Sequence, residues 1–153
     1  MLDATDRKIL EILQADARTA NTEIARQVGL VPSAVLERIR RLEKKGVIES
    51  YTARVNPKAL GLGLAAYVSV RADDRIGALD TARQLAKVPE VLEVHSIAGD
   101  DCVMVKVRAK DTDDLARLLR ESFGKIRSVE STRTTIVLET VKETSALPVK
   151  ERS

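Results

Sequence analysis

Ser33, Glu37, Arg40, Arg41 and Lys44 are the side chains of this sequence best placed to do chemistry on a partner. Their spacing puts them on the outer side of a helix whose other side, Val35, Ile39 and Leu42, is apolar. A guanidinium in that setting can meet a guanine edge with two hydrogen bonds or hold a backbone phosphate. Arg40 and Arg41 are the leading candidates for such contacts. Arg38 stands nearer the apolar stripe, where an internal ion pair suits it as well as a phosphate does. The competing reading of the whole face is an ordinary solvated surface. Charge distribution favours DNA. Residues 31–63 hold 7 Lys/Arg against 3 Asp/Glu, while residues 64–153 hold 15 of each, so the net charge of +3 gathers on and just after this helix. Phosphate-binding surfaces carry such a footprint.

Other chemistries are poorly provided for. One histidine, His95, and one cysteine, Cys102, leave no His/Cys cluster for zinc and no internal disulfide. Cys102 begins a strand and reads as a packing residue rather than a redox sensor, because nothing nearby would make a low-pKa thiolate. His95 reads as an interface residue on the side of its strand that Val91 and Ile97 share. No catalytic residue and no cofactor are expected.

The elements that position the basic face follow from local signals. The stretch IARQVGLVPSAVLERIRRLEKKGVI, residues 24–48, is a helix, a tight turn and a helix. Gly29 takes the left-handed turn and Pro32 suits the first position of the next helix. A short helix, a glycine turn and a basic second helix is the helix-turn-helix pattern of DNA readers. Before it, Asp3 can cap a helix over about 4–15, with Asp6 in its first turn and Ile9, Leu10, Ile12 and Leu13 inward. After it, Val47, Ile48, Tyr51, Ala53 and Val55 alternate loosely, which predicts the wing of a winged helix. This gives a winged helix-turn-helix domain over 1–55 and a linker over 56–63, where Pro57, Gly61 and Gly63 cluster.

Beyond the linker the periodicity changes. Strands are expected over 64–72, 91–97, 102–109 and 129–141, and helices over 77–87, with Leu79, Ala82 and Ala86 inward, and 111–123. The order is β-α-β-β-α-β, a ferredoxin-like unit over 64–141. The chain is thus expected to be α+β, with a polar, mobile tail over 142–153. Helices cover one sheet face only, so the other predicts a homodimer. The composition, 44% hydrophobic and 32% charged with no Trp, points to a soluble domain with an aliphatic core. No apolar run approaches a membrane span and no secretory signal is visible, so a cytoplasmic, nucleoid-associated protein without a membrane partner is expected.

The pieces LDATDRKIL, EIARQVGL, RIRRLEKKGVI, NPKALG, AGDDCVMVKV and STRTTIVLE, across residues 2–141, together resemble the leucine-responsive/AsnC, or feast/famine, family of transcriptional regulators. The resemblance implies a regulator of double-stranded DNA, dimers that often build octamers, and a small effector, usually an amino acid, bound where dimers meet. It also marks departures. Family members commonly have Ser or Thr before the second and third helices, where this chain has Ala20 and Val31, neither able to cap. Thr19 or Asn21 is the substitute expected at the second helix. At the hairpin the family often reads Gly-Asp/Ala-Tyr-Asp, and this chain reads Gly99-Asp100-Asp101-Cys102. An amino acid needs a carboxylate for its ammonium and donors for its carboxylate. Asp100 or Asp101 would serve the first, the Gly99 turn and Thr134 the second. Two other functions share the architecture: a siroheme-decarboxylase-like enzyme, which a single His and two Tyr argue against, and a nucleoid-type protein that wraps DNA with little sequence choice.

Overall fold

A computed structural model describes residues 2–75, 78–99 and 101–149. The chain forms two compact units. One joins Met1–Arg54 to Lys142–Ser153, and the other is Val55–Val141.

The first unit is built on α1 (Ala4–Ala15), α2 (Asn21–Val28) and α3 (Pro32–Lys44). Asp3 caps α1, its carboxylate accepting the Asp6 N–H at 2.7 Å. Gly29 closes α2 with φ 69°, a left-handed conformation that costs glycine nothing. Ile9 and Leu10 of α1, Ile24 and Ala25 of α2, and Val35, Ile39 and Leu42 of α3 make one core. With the partly buried Leu13 and Val28, the sets 9, 10, 13, then 24, 25, 28, then 35, 39, 42 recur at helical spacing, so burying one stripe per helix fixes how the three lie against each other.

The second unit has β1 (Leu64–Ala72), α4 (Asp80–Leu85), β2 (Val91–Ser96), β3 (Val103–Ala109), α5 (Thr112–Glu121) and β4 (Val129–Val137). Its sheet runs β2-β3-β1-β4, every neighbouring pair antiparallel. The expected α+β architecture, a helix-turn-helix unit followed by a βαββαβ sheet, is the one observed. Ala66, Val68 and Val70 of β1 and Val103, Val105 and Val107 of β3 face Leu85, Leu115 and Leu118 of the helices. The alternate residues form the open face, with rows His95–Met104–Ser69–Arg133 and Glu93–Lys106–Tyr67–Thr135 across the four strands.

Several expectations are corrected. No strand forms over 49–56, so the wing is absent from this chain by itself: Tyr51 and Val55 are exposed, and the segment has no neighbouring strand to bond. The linker is not irregular throughout, since Asn56 caps a short 3-10 turn at Pro57–Leu60. β4 ends at Val137, four residues early, because its partner β1 runs out there with Ala65 opposite Val137. In α4 Ala82 packs against the core as expected, but the fully buried residues are Thr81 and Leu85, and Leu79 and Ala86 are exposed; the expected start of this helix, Gly77, lies outside the described residues. A bulge between Val91 and Glu93 turns Val91 to the helix side and leaves His95 on the open face. Within the expected tail, the described residues 147–149 are seated rather than free: Leu147 bonds Gln14, Val149 bonds Arg7, and Val149 packs on the helical core.

Candidate nucleic-acid interface and effector site

Four of the five residues expected on the outer face of α3 point away from the core without a partner, and the fifth, Arg41, does not. Ser33, Glu37, Arg40 and Lys44 recur at i, i+4, i+7 and i+11 and are all exposed. None of them bonds or pairs with another described side chain, so this stripe is available to a partner. Both helices of the motif start without a side-chain cap, at Ala20 and Val31. Thr19 does not substitute, because its hydroxyl donates to the Asp16 carbonyl at 2.8 Å. The first N–H groups of α2 and α3 therefore keep their hydrogen-bonding capacity.

Arg38 and Arg41 are used differently. Arg38 Nη1 donates to Asp3 Oδ2 at 2.6 Å and to Asp6 Oδ1 at 2.7 Å. Arg41 Nη2 donates to both Asp6 oxygens, at 3.0 and 3.2 Å. Asp6 is only 3% exposed, so two guanidinium groups from α3 satisfy one buried carboxylate on α1. The Arg38 bond is also the main reason the Asp3 carboxyl is held below its ordinary pKa. The charged candidates on this face and its flank thus fall into two groups. Glu37, Arg40 and Lys44 look outward, while Arg38 and Arg41 tie α3 to α1. Asp6 was expected only to favour the helix dipole. Its place on the stripe 6, 9, 10, 13 was the available sign that it would be buried and need a partner.

In the second unit, Gly99 makes the hairpin turn with φ 135° and is exposed. Asp100 lies outside the described residues. Asp101 is largely covered and forms an ion pair with exposed Arg133 of β4. Thr134 is not brought to Asp101. It pairs with Val68, whose side chain is in the core, so it faces the helix side of the sheet while Arg133 faces the open side. Arg133 is the residue that sequence reasoning missed, and only strand register distinguishes it from its neighbour. The Cys102 thiol donates to the Val70 carbonyl with sulfur to oxygen 3.6 Å, the packing role expected of it. Among the described residues no group of three His, Cys, Asp or Glu side chains is placed to hold a metal, and no helix is long and apolar enough to cross a membrane.

Comparison with known proteins matches both units. Residues 65–147 match the Lrp/AsnC ligand binding domain and residues 2–49 a winged helix-turn-helix DNA-binding domain. The chain is 42% identical over 151 residues to the HTH-type transcriptional regulator FL11 of Pyrococcus furiosus, covering 98% of each. It is 39% identical to the leucine-responsive regulatory protein of Escherichia coli K12, covering 99% of this chain and 93% of that one. The fold matches the crystal structure of the transcriptional regulator NMB0573 from Neisseria meningitidis in complex with L-Met, with a TM-score of 0.91, 30% identity and 97% of each chain covered. These relatives are named as regulators of transcription, not as enzymes. With a DNA-binding unit, a ligand-binding unit and this likeness along nearly its whole length, the chain belongs to the Lrp/AsnC family of transcriptional regulators.

Proposed function

We propose that this chain is a sequence-specific regulator that reads double-stranded DNA with the stripe Ser33, Glu37, Arg40 and Lys44, and that Arg38 and Arg41 hold that stripe in position. The observation that carries this is the outward, unpartnered set on α3 beside a core that fixes the helix. Arg40 supplies the bidentate donor for a guanine edge or a phosphate, and Lys44 a point charge for the backbone. Selection of bound duplexes from a random pool is the test. A recovered motif bound at least about 10³-fold tighter than random duplex supports a specific regulator. Equal affinity for all duplexes would make it an architectural DNA-binding protein instead.

The chain acts in this reading as a cytoplasmic homodimer, associating through the open sheet face and assembling further to an octamer. Tyr67, Met104 and Ala65 give that face its apolar part. Two reading helices would then lie about one DNA turn apart, about 34–36 Å, or a multiple of it.

Its effector is an α-amino acid bound at the hairpin that carries Gly99, Asp100 and Asp101. An amino acid is a zwitterion, and Asp101 and Arg133 offer an acceptor for its ammonium and a donor for its carboxylate side by side. The solved relative that holds L-Met supports this class of ligand. Calorimetry against the twenty amino acids tests it, and heat that persists in both Asp101→Ala and Arg133→Ala would place the ligand elsewhere.

A further inference from the structure

α1 carries a stripe that serves neither the core nor the reading helix. Arg7, Glu11 and Gln14 recur at i, i+4 and i+7 and so share one face. Against it runs the segment 146–149, which belongs to no helix or strand. Gln14 grips the main chain of Leu147 on both sides: its Nε2 donates to the Leu147 carbonyl at 2.9 Å, and the Leu147 N–H donates to its Oε1 at 2.6 Å. One side-chain amide thereby supplies the donor and the acceptor that a neighbouring strand would offer. Arg7 Nη1 donates to the Val149 carbonyl at 3.0 Å, and the Val149 side chain packs against the cluster of Ile9, Leu10 and their partners.

The contacts from Gln14 and Arg7 described above all go to the backbone of the segment, and the Leu147 side chain points away, 73% exposed. The seat therefore reads main-chain N–H and C=O groups plus one apolar side chain two residues further on, so backbone bonds supply the grip and a single side chain the selectivity. Pro148 fits this: it narrows the backbone freedom lost on docking and has no N–H to leave unpaired. On the approach to the seat Leu138 and Val141 are almost wholly exposed, while Glu143 lies 3.8 Å from the Arg54 guanidinium.

We propose that this face of α1 is a peptide-docking site and that its occupant is the chain's own C-terminal segment, residues 146–149, bound within the same chain. Tethering makes the docking intramolecular, so few contacts suffice to hold it. When the seat is filled, the polypeptide passes between the two units twice instead of once. The seat also shares the first turns of α1 with the carboxylate that anchors α3, Arg7 taking the tail and Asp6 taking Arg38 and Arg41.

Amide hydrogen exchange on the full-length protein tests the seat without reference to DNA or effector. The Leu147 amide should exchange at least about tenfold more slowly in the wild type than in Gln14→Ala, with the α2 and α3 amides unchanged. Val149→Ser leaves the Gln14 grip in place and should also speed Leu147 exchange. An unprotected Leu147 amide in the wild type overturns the docking. Origin of the occupant is read by bridging cysteines introduced as Ala15→Cys and Leu147→Cys, in a Cys102→Ser background, with a short bismaleimide. A cross-linked product of single-chain mass is expected; a product of double-chain mass means that a second copy's tail fills the seat and overturns the assignment within one chain.

Discussion

Arg40 and Arg41 are neighbours in sequence and opposites in use. A step of one residue turns the helix by about 100°, which carries Arg40 to the outer face and Arg41 to the side that meets α1. Arg40 has no described partner, whereas Arg41 joins Arg38 on the buried Asp6. A cationic surface can thus contain two populations, one spent on holding the helix and one kept for a partner. Net charge does not separate them. What separates them is whether a carboxylate stands within reach, and that carboxylate lies more than thirty positions away in the chain.

The comparison breaks most visibly at Asp6. Asp6→Ala strips both guanidinium groups of their shared acceptor, yet each is exposed enough to regain water, so the cost falls short of that of an ion stranded in a core. A loss of roughly 2–3 kcal/mol is expected in urea unfolding. An unchanged midpoint would mean that Arg38 and Arg41 are not anchors. The two arginines of α3 should then separate cleanly. Arg40→Ala should weaken operator binding by ~1–3 kcal/mol if it meets a base, with stability unchanged within about 0.5 kcal/mol. Arg41→Ala should cost about 1 kcal/mol of stability, because half-exposed ion pairs are screened, and should weaken DNA binding less than Arg40→Ala does. Should Arg41→Ala prove the more damaging to binding, Arg41 leaves Asp6 for the DNA and the contrast between the two arginines fails.

How legible these features were in the sequence depended on how local their causes are. The turn of the helix-turn-helix came through closely: Gly29 closes α2 and α3 starts at Pro32, because Gly29, Pro32 and a 3.6-residue apolar repeat act within a turn or two. The same holds for β1, whose alternation is its own signal. The losses share a different origin. Placing Thr134 in the effector site required knowing which β4 residue lies opposite Val68, and one step of register exchanges it for Arg133. Val91 was assigned to the side of His95 because alternation was counted through a bulge. The wing was inferred from alternating residues, but a strand also needs a neighbour with free N–H and C=O groups, which the run 49–56 lacks. The tail looked mobile because its polar composition hides that Gln14 and Arg7, more than a hundred positions earlier, grip its main chain rather than its side chains.

The smallest expected effect sharpens the outer edge of the anchor. Asp3 has two partners: Oδ1 caps α1 through the Asp6 N–H, and Oδ2 accepts from Arg38. The hydrogen bond from Arg38, followed by that from the Asp6 N–H, holds its carboxyl below the ordinary value. A carboxyl with a lowered folded pKa is protonated first in the unfolded chain, so its contribution to stability is complete above the unfolded pKa, about 3.9. It drains away as pH falls through the folded value. Asp3→Asn keeps a good capping side chain and removes only the charge. Thermal unfolding of the two proteins should therefore run parallel above about pH 5, with the wild type higher, and converge as pH falls below the unfolded pKa and through the lowered folded one. Asp3 is exposed, so the gap should be small and should shrink further in high salt. A gap that stays constant through the acid range would assign the whole effect of Asp3 to capping and leave Arg38 to Asp6 alone.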